Sequence, residues 1–209
     1  MINFQDITIN SYNKTAENYF DKVKNFPILQ ELSIFMDFIK PGGKILDLGC
    51  GPGHHAKIFV ENGFSVVGID LSSGMIKIAE REVPQADFFV MDIQNLDLQE
   101  NEYDGIWASA SLFHIPKLLL VDVLQLLKKY LQDSGVLYLS LKEGVGEEII
   151  ADSRYEGVEK FYAYYSEKEI QEILTNSGYK LLLKEFRPKR ESYDTNSWIH
   201  VFSQKESPR

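Results

Sequence analysis

Apolar residues along the chain recur first at helical spacing and then in short continuous runs, and the two patterns alternate. Over residues 28–40, Leu29, Leu32, Phe35, Met36 and Ile39 share one helical face, and Pro41-Gly42-Gly43 ends the run. Residues 44–48 read as a short buried strand, followed by a glycine-rich turn and a helix over residues 54–62 that stops at Gly63. A β-branched strand covers 64–69, and Ser72-Ser73 caps a helix reaching about residue 81. Strands follow at 86–91 and 103–108. Pro116 then opens a long helix to residue 131, with Leu118, Leu119, Val123, Leu126 and Leu127 expected inside. Gly135 leads into a strand at 136–142, and Ser166 with Glu169 forms a capping box for a helix to residue 176. Two strands close the pattern, at 179–186 and 197–203, with only a short loop between them.

Strands separated by helices form a parallel sheet covered on both faces, whereas two strands joined by a short loop pair antiparallel. The expected fold is therefore α/β: a doubly wound, mostly parallel seven-stranded sheet with a C-terminal antiparallel hairpin and helices on both faces. At 209 residues the chain reads as a single domain, 1–209. Residues 1–40 are expected to form an N-terminal lid and helix, and 143–165 an insertion that covers the substrate.

The turn Ile45-Leu46-Asp47-Leu48-Gly49-Cys50-Gly51-Pro52-Gly53 carries the chemistry. Ligands in open parallel sheets sit beyond the carboxyl ends of the strands, and glycines there let backbone approach a ligand closely. The spacing Gly-x-Gly-x-Gly departs from the pyrophosphate-binding fingerprint, and the Lys and Ser/Thr of a P-loop are missing. Asp47, at the strand end, would repel a pyrophosphate but suits an ammonium or sulfonium. Asp70 follows Gly49 by 21 positions, a spacing at which a carboxylate accepts hydrogen bonds from ribose hydroxyls. An adenosine carrying a cation instead of phosphates satisfies all these features.

At this point the chain resembles the class I S-adenosylmethionine-dependent methyltransferases of small-molecule type. Residues 45–53 and 66–75 resemble the first two motifs of that family. Phe89-Val90-Met91-Asp92-Ile93 resembles the adenine-edge segment, and Tyr103-Asp104-Gly105-Ile106-Trp107-Ala108-Ser109-Ala110 and Gly135-Val136-Leu137-Tyr138-Leu139-Ser140 resemble the fourth- and fifth-strand motifs. The resemblance implies S-adenosylmethionine as cofactor and S-adenosylhomocysteine as product. It places Gly49, Gly51 and Gly53 against the amino-acid part of the cofactor, with Asp47 anchoring its ammonium and Cys50 a small packed residue of the same cofactor-binding loop. Asp70 would hold the ribose, Leu71 and Met75 would lie on the adenine, and Asp92 and Ile93 at its edge. Ser109 belongs to the same wall. Tyr12, with Tyr19 and Phe20, either faces the sulfonium from the N-terminal lid or packs the first helix.

A sulfonium methyl is already activated, so catalysis rests mainly on holding the nucleophile close and in line. His114, just past the fourth strand, is the candidate for a base or a substrate hydrogen bond, with a buried structural histidine as the other reading. In the 143–165 insertion, Arg154, Tyr155 and Tyr162 are candidate substrate contacts, with Arg154 as a carboxylate clamp; alternatively these aromatics pack the sheet edge. His54-His55 lacks Cys or His partners at ligand spacing, so no metal is expected.

The net charge of −9 argues against a nucleic-acid partner, although Lys184, Lys189, Arg187 and Arg190 cluster around Glu185. One cysteine, Cys50, excludes an intrachain disulfide. The opening Met1-Ile2-Asn3-Phe4-Gln5-Asp6 lacks a signal-peptide pattern, and no apolar stretch approaches the ~20 residues of a membrane span, so the expected compartment is the cytoplasm. The expected reaction is methyl transfer to an N or O atom of a small molecule by a monomer or homodimer. The alternatives are a tRNA or protein methyltransferase and a non-catalytic cofactor-binding module serving a partner.

Overall fold

The computed structural model describes residues 4–24, 30–152, 157–190 and 195–206. In chain order the elements are α1 (Phe4–Val23), α2 (Gln30–Asp37), β1 (Lys44–Leu48), α3 (His54–Glu61), β2 (Ser65–Asp70), α4 (Ser73–Glu82) and β3 (Asp87–Val90). There follow β4 (Tyr103–Ser109), a 3-10 turn (Leu112–His114), α5 (Lys117–Tyr130), β5 (Leu131–Lys142), β6 (Glu147–Asp152) and β7 (Val158–Ala163). The last elements are α6 (Glu167–Asn176), β8 (Tyr179–Arg187) and β9 (Trp198–Lys205).

Seven strands form one sheet in the order β3-β2-β1-β4-β5-β9-β8. β1 to β5 run parallel, while β9 is antiparallel to both β5 and β8. The expected fold class is the one observed. Strand order reverses between β1 and β4, so the crevice beyond their carboxyl ends is the natural ligand site of such a sheet. The antiparallel β8–β9 pair has a further effect: it returns the end of β8 and the start of β9 to that same edge.

Alternating side chains divide the core between the two faces. Leu46, Leu48 and Ile106 pack with Leu120, Val123, Leu124 and Leu127 of α5 on one face. Ile45, Trp107 and Tyr138 pack with Leu32, Phe35 and Phe59 on the other. There the Trp107 indole lies flat on the Tyr138 ring, with centroids 3.8 Å apart and planes 11° apart. α2 sits directly on the sheet because position 105 is glycine; a Cβ there would lie 2.4 Å from Ile39 Cδ1 and 2.6 Å from Phe35 Cζ.

The helix caps follow the local code. Ser72 accepts from the Met75 amide, and Ser166 with Glu169 closes a full capping box on α6. The inner face of α5 differs from the expected one: Leu118 is 87% exposed, Leu119 and Leu126 are half-buried, and Leu120 and Leu124 are buried instead. Six leucines in ten positions offer two apolar stripes, and the tertiary contacts choose between them. Two further elements were not visible as such in the pattern. α1 is one helix of 20 residues, and β6 and β7 form a separate two-stranded antiparallel sheet.

Candidate active site

β1 ends in a turn whose three glycines, Gly49, Gly51 and Gly53, all adopt left-handed φ, at 67°, 54° and 80°. The amides of Gly49 and Cys50 both donate to the Ile69 carbonyl at the end of β2, at 2.8 and 2.9 Å. At position 49 glycine is needed twice over, since a Cβ would also stand 2.5 Å from Ser111 Cβ. Asp70 ends β2 and accepts from the Gly51 amide (3.0 Å) and the Ser72 amide (2.8 Å). Its carboxylate therefore braces the turn against the start of α4. Burial still pushes its pKa up to about 6 against these two bonds.

Asp47 stands behind the turn, 2% exposed, and its Oδ2 has no hydrogen-bond partner among the described residues. Burial, and then the charge of Asp70, push its pKa up to about 8. A buried carboxyl group without a partner is costly to ionise, and a second acid beside it, here the amide-bonded Asp70, favours a cation near the pair. Burial above all, and then the same two acids, hold the Cys50 thiol well above its ordinary value, which suits a packed thiol and not a thiolate.

In front of this turn lies a cavity of about 850 Å³. Tyr12, Gly49, Cys50, Gly51, Gly53, Asp70, Leu71, Met75, Asp92, Ile93, Ser109 and His114 all contribute to its walls. Of the other expected site residues, Asp47 lies behind the wall. Tyr162 is buried outside the wall, stacked on Phe113 with centroids 5.6 Å apart and 3.8 Å from the Lys142 ammonium. Arg154 and Tyr155 fall outside the described residues.

α1 crosses the open side of the cavity, held by side-chain bonds along its length. Gln5 Nε2 donates to Asp92 Oδ2 (2.8 Å), and Asp92 Oδ1 accepts from the Gln94 amide (2.9 Å). Thr8 Oγ1 accepts from the Phe161 amide of β7 (3.1 Å). Asn13 Oδ1 accepts from the Ser72 hydroxyl (2.8 Å) and the Gly74 amide (3.0 Å). Tyr12 meets His114, its hydroxyl 2.9 Å from Nε2, and packs under the Lys160 ammonium at 4.2 Å. Tyr12 thus packs within the α1–α4 contact and also lines the cavity.

His114 Nδ1 lies 2.7 Å from the Phe161 carbonyl, which can only accept. Its proton therefore sits on Nδ1, and in the neutral ring Nε2 accepts from Tyr12. His55 has the opposite tautomer, because its Nδ1 accepts from Trp107 Nε1 (3.1 Å). Burial lowers the His54 pKa to about 4, and burial, then the neighbouring His54, holds His55 well below its ordinary value. Among the described residues no group of three or more His, Cys, Asp or Glu is placed to hold a metal.

Ser111, a candidate beside Ser109, Phe113 and His114 after the fourth strand, also lines the cavity, while several wall residues escaped the sequence reading: Ser140, Arg187, Arg190, Trp198 and His200. The Ser111 hydroxyl is buried with no partner among the described residues. Ser140 accepts from the Ala110 amide at 2.7 Å, where Ala110 takes a positive φ of 53° at the end of β4. The Lys/Arg cluster of residues 184–190 was the one visible signal for this wall.

Residues 17–184 match the family described as Methyltransferase domain. The chain belongs to that family. A demethylmenaquinone methyltransferase of Renibacterium salmoninarum is 32% identical over 90 residues, which is 42% of this chain and 38% of the relative. The chain thus spans well under half the length of such curated relatives. Among solved structures, the 1,6-didemethyltoxoflavin N1-methyltransferase of Burkholderia thailandensis, holding its acceptor and S-adenosylhomocysteine, superimposes with a TM-score of 0.78 at 17% identity. The match covers 99% of this chain and 92% of that one. The [4+2]-cyclase SpnF matches with a TM-score of 0.75 at 16% identity, covering 98% and 97%. At these identities the likeness is one of fold, and the family's fold hosts more than one reaction.

Proposed function

We propose that the protein transfers a methyl group from S-adenosylmethionine to an N or O atom of a small-molecule acceptor. The observation that carries this reading is the Asp47–Asp70 pair at a glycine turn: half-buried Asp70 lines the cavity, and buried Asp47 stands behind it with an oxygen unpaired among the described residues. That site fits a ligand with a positive charge and ribose hydroxyls, and it fits a dinucleotide phosphate poorly. Asp47 would anchor the ammonium, Asp70 the ribose, and Leu71, Met75, Asp92 and Ile93 the adenine. When bound, the sulfonium supplies an activated methyl group. The acceptor stands across Ser109, Ser111 and His114, beside the ends of β4 and β5.

Within this reading the chain's own groups bind, orient and exclude water. α1 covers part of the cavity and limits its contact with water, which raises the strength of charge interactions beneath it. His114 Nε2 is the base end of a short relay: a proton leaving the acceptor reaches it through the Tyr12 hydroxyl, while Nδ1–H on the Phe161 carbonyl fixes the ring. The known acceptors of relatives agree in scale with this site, since a demethylmenaquinone and a didemethyltoxoflavin are both small molecules. The cytoplasm is the proposed compartment, in keeping with the absence, among the described residues, of any helix able to cross a membrane.

The test is calorimetric titration with S-adenosylmethionine and S-adenosylhomocysteine, with NADH and Asp70→Ala as controls, followed by labelled-methyl transfer to candidate acceptors. Micromolar binding of both adenosyl ligands, lost in Asp70→Ala, is expected. Preference for NADH, or no adenosyl binding, sinks the proposal. Binding without transfer to any acceptor would move the protein to the cyclase-like side of its structural neighbours.

A further inference from the structure

We infer that the acceptor is a small planar molecule carrying a carboxylate, and that Arg187 receives that anion. The inference rests on the methyl-transfer reading above and deepens it. Its starting point is topology. Because β9 runs antiparallel, Trp198 at its start pairs with Arg187 at the end of β8, and His200 pairs with Ser140 of β5. These four residues line the cavity, at the edge where the parallel strands end. None of them belongs to the stretch that faces the cofactor in the proposed function, so this wall is the one left for the second substrate.

Arg187 is held there by a device that has no other evident use. Glu31 of α2 is fully buried, and its Oε1 takes Arg187 Nη2 at 2.7 Å. His200 Nδ1 stands 3.3 Å from the same oxygen and 2.7 Å from the Tyr138 hydroxyl. Glu185 lies farther from the guanidinium, at 3.7 Å. Burial raises the Glu31 pKa, so the acid is kept against its own desolvation. Apolar residues fill such a space as well or better where stability alone is required. What the glutamate adds is a buried carboxylate in ion-pair contact with the guanidinium at the cavity wall; neither Glu31 oxygen makes a well-aligned hydrogen bond among the described residues, so the pair is one of charge and proximity.

A guanidinium has five N–H donors, and Glu31 engages one nitrogen. The remaining donors form a planar fork that matches a carboxylate in two-point fashion. Arg190 adds a second cation to the same wall, and Trp198 adds a flat apolar surface next to it. A cation paired with an indole face is the complement of an aromatic or heteroaromatic acid. The Ser111 hydroxyl, on the same cavity and with no partner among the described residues, is available to the acceptor's own polar group. A cavity of about 850 Å³ has room for such an acid beside the adenosyl ligand.

The experiment titrates the protein, presaturated with S-adenosylhomocysteine, with 3,4-dihydroxybenzoate, anthranilate and nicotinate, each against its neutral amide. Binding of S-adenosylhomocysteine is measured first, so failure of the methyl-transfer reading shows before any acid is added. The expected result is that at least one acid binds tenfold or more tighter than its amide. Arg187→Gln should erase that preference while S-adenosylhomocysteine affinity stays within about twofold. If Arg187→Gln fails to fold around a stranded Glu31, the double variant Glu31→Gln/Arg187→Gln removes the buried charge and replaces it. Three results overturn the inference: equal affinity for acids and amides, or no acid binding; an acid preference that survives loss of Arg187; or a variant that loses S-adenosylhomocysteine but retains 5′-methylthioadenosine. The last would assign Arg187 to the cofactor's own carboxylate.

Discussion

The cavity has two halves built on opposite principles. The half around Gly49–Asp70 is assembled from residues close in sequence, at the ends of adjacent parallel strands, and held by backbone amides. The half formed by α1, His114, Arg187 and Trp198 is assembled from segments far apart in the chain and held by side chains. In the first, the position of each functional atom follows from the backbone, so there is little freedom to vary. In the second, each contact is a single side-chain bond that can be exchanged while the sheet stays intact. A fixed ligand suits the first arrangement and a changeable one the second.

The harshest break of this comparison is Gly49→Ala. A left-handed φ costs an ordinary residue roughly 1–2 kcal/mol, before the clash with Ser111 is counted. Adenosyl-ligand binding should vanish by calorimetry and the melting temperature should fall. Intact binding would show that the turn tolerates movement and that the two halves are less different than drawn.

Asp47→Asn comes next, with effects of opposite sign on binding and stability. Loss of a charge-assisted bond, about 1.5–3 kcal/mol, should weaken S-adenosylmethionine by roughly ten- to a hundredfold. In the free protein the folded-state pKa of about 8 lies above the ordinary 3.8, so the native state holds the extra proton. Stability from this group is therefore complete below about pH 4 and is lost as pH rises toward 8. Asp47→Asn should melt above the wild type at pH 8.5 and level with it near pH 4. A pH-independent difference would remove Asp47 from the charged pair.

A smaller effect is expected in the side-chain half. Tyr12→Phe deletes the bond to His114 Nε2, worth about 0.5–1.5 kcal/mol, and leaves the ring under Lys160. Stopped-flow release of S-adenosylhomocysteine should quicken severalfold while its equilibrium binding to the glycine turn changes little. An unchanged release rate would mean that α1 is not the gate.

This contrast also explains what could be read from the residues alone. Strand and helix periods, the Ser72 and Ser166 caps and the glycine turn are local, and each was visible in its own segment. The seven-stranded sheet follows from the same alternation plus one short hairpin loop. The buried stripe of α5 was not decidable, because its leucines satisfy two faces and only the neighbours choose. The long-range half of the site was less legible still. Nothing near Arg187 in sequence points to Glu31, which lies on α2 with four helices between them in the chain, and although the hairpin was predicted, nothing near Trp198 shows that the start of its second strand reaches the cavity. The conspicuous Arg154 drew attention as a clamp because its aromatic neighbours are adjacent in sequence, whereas Arg187 acquires its aromatic neighbour only through strand pairing.

The two indoles of this chain occupy contrasting optical environments. Trp107 is fully enclosed, stacked on Tyr138 and bonded to a neutral His55, so its emission should be blue-shifted and indifferent to solutes. Trp198 lines the cavity. With only two tryptophans in the sequence, any change in emission on adding an acceptor should come from one ring, and Trp198→Phe should abolish it. The fold thus carries its own fluorophore for occupancy of the acceptor end, readable without a label.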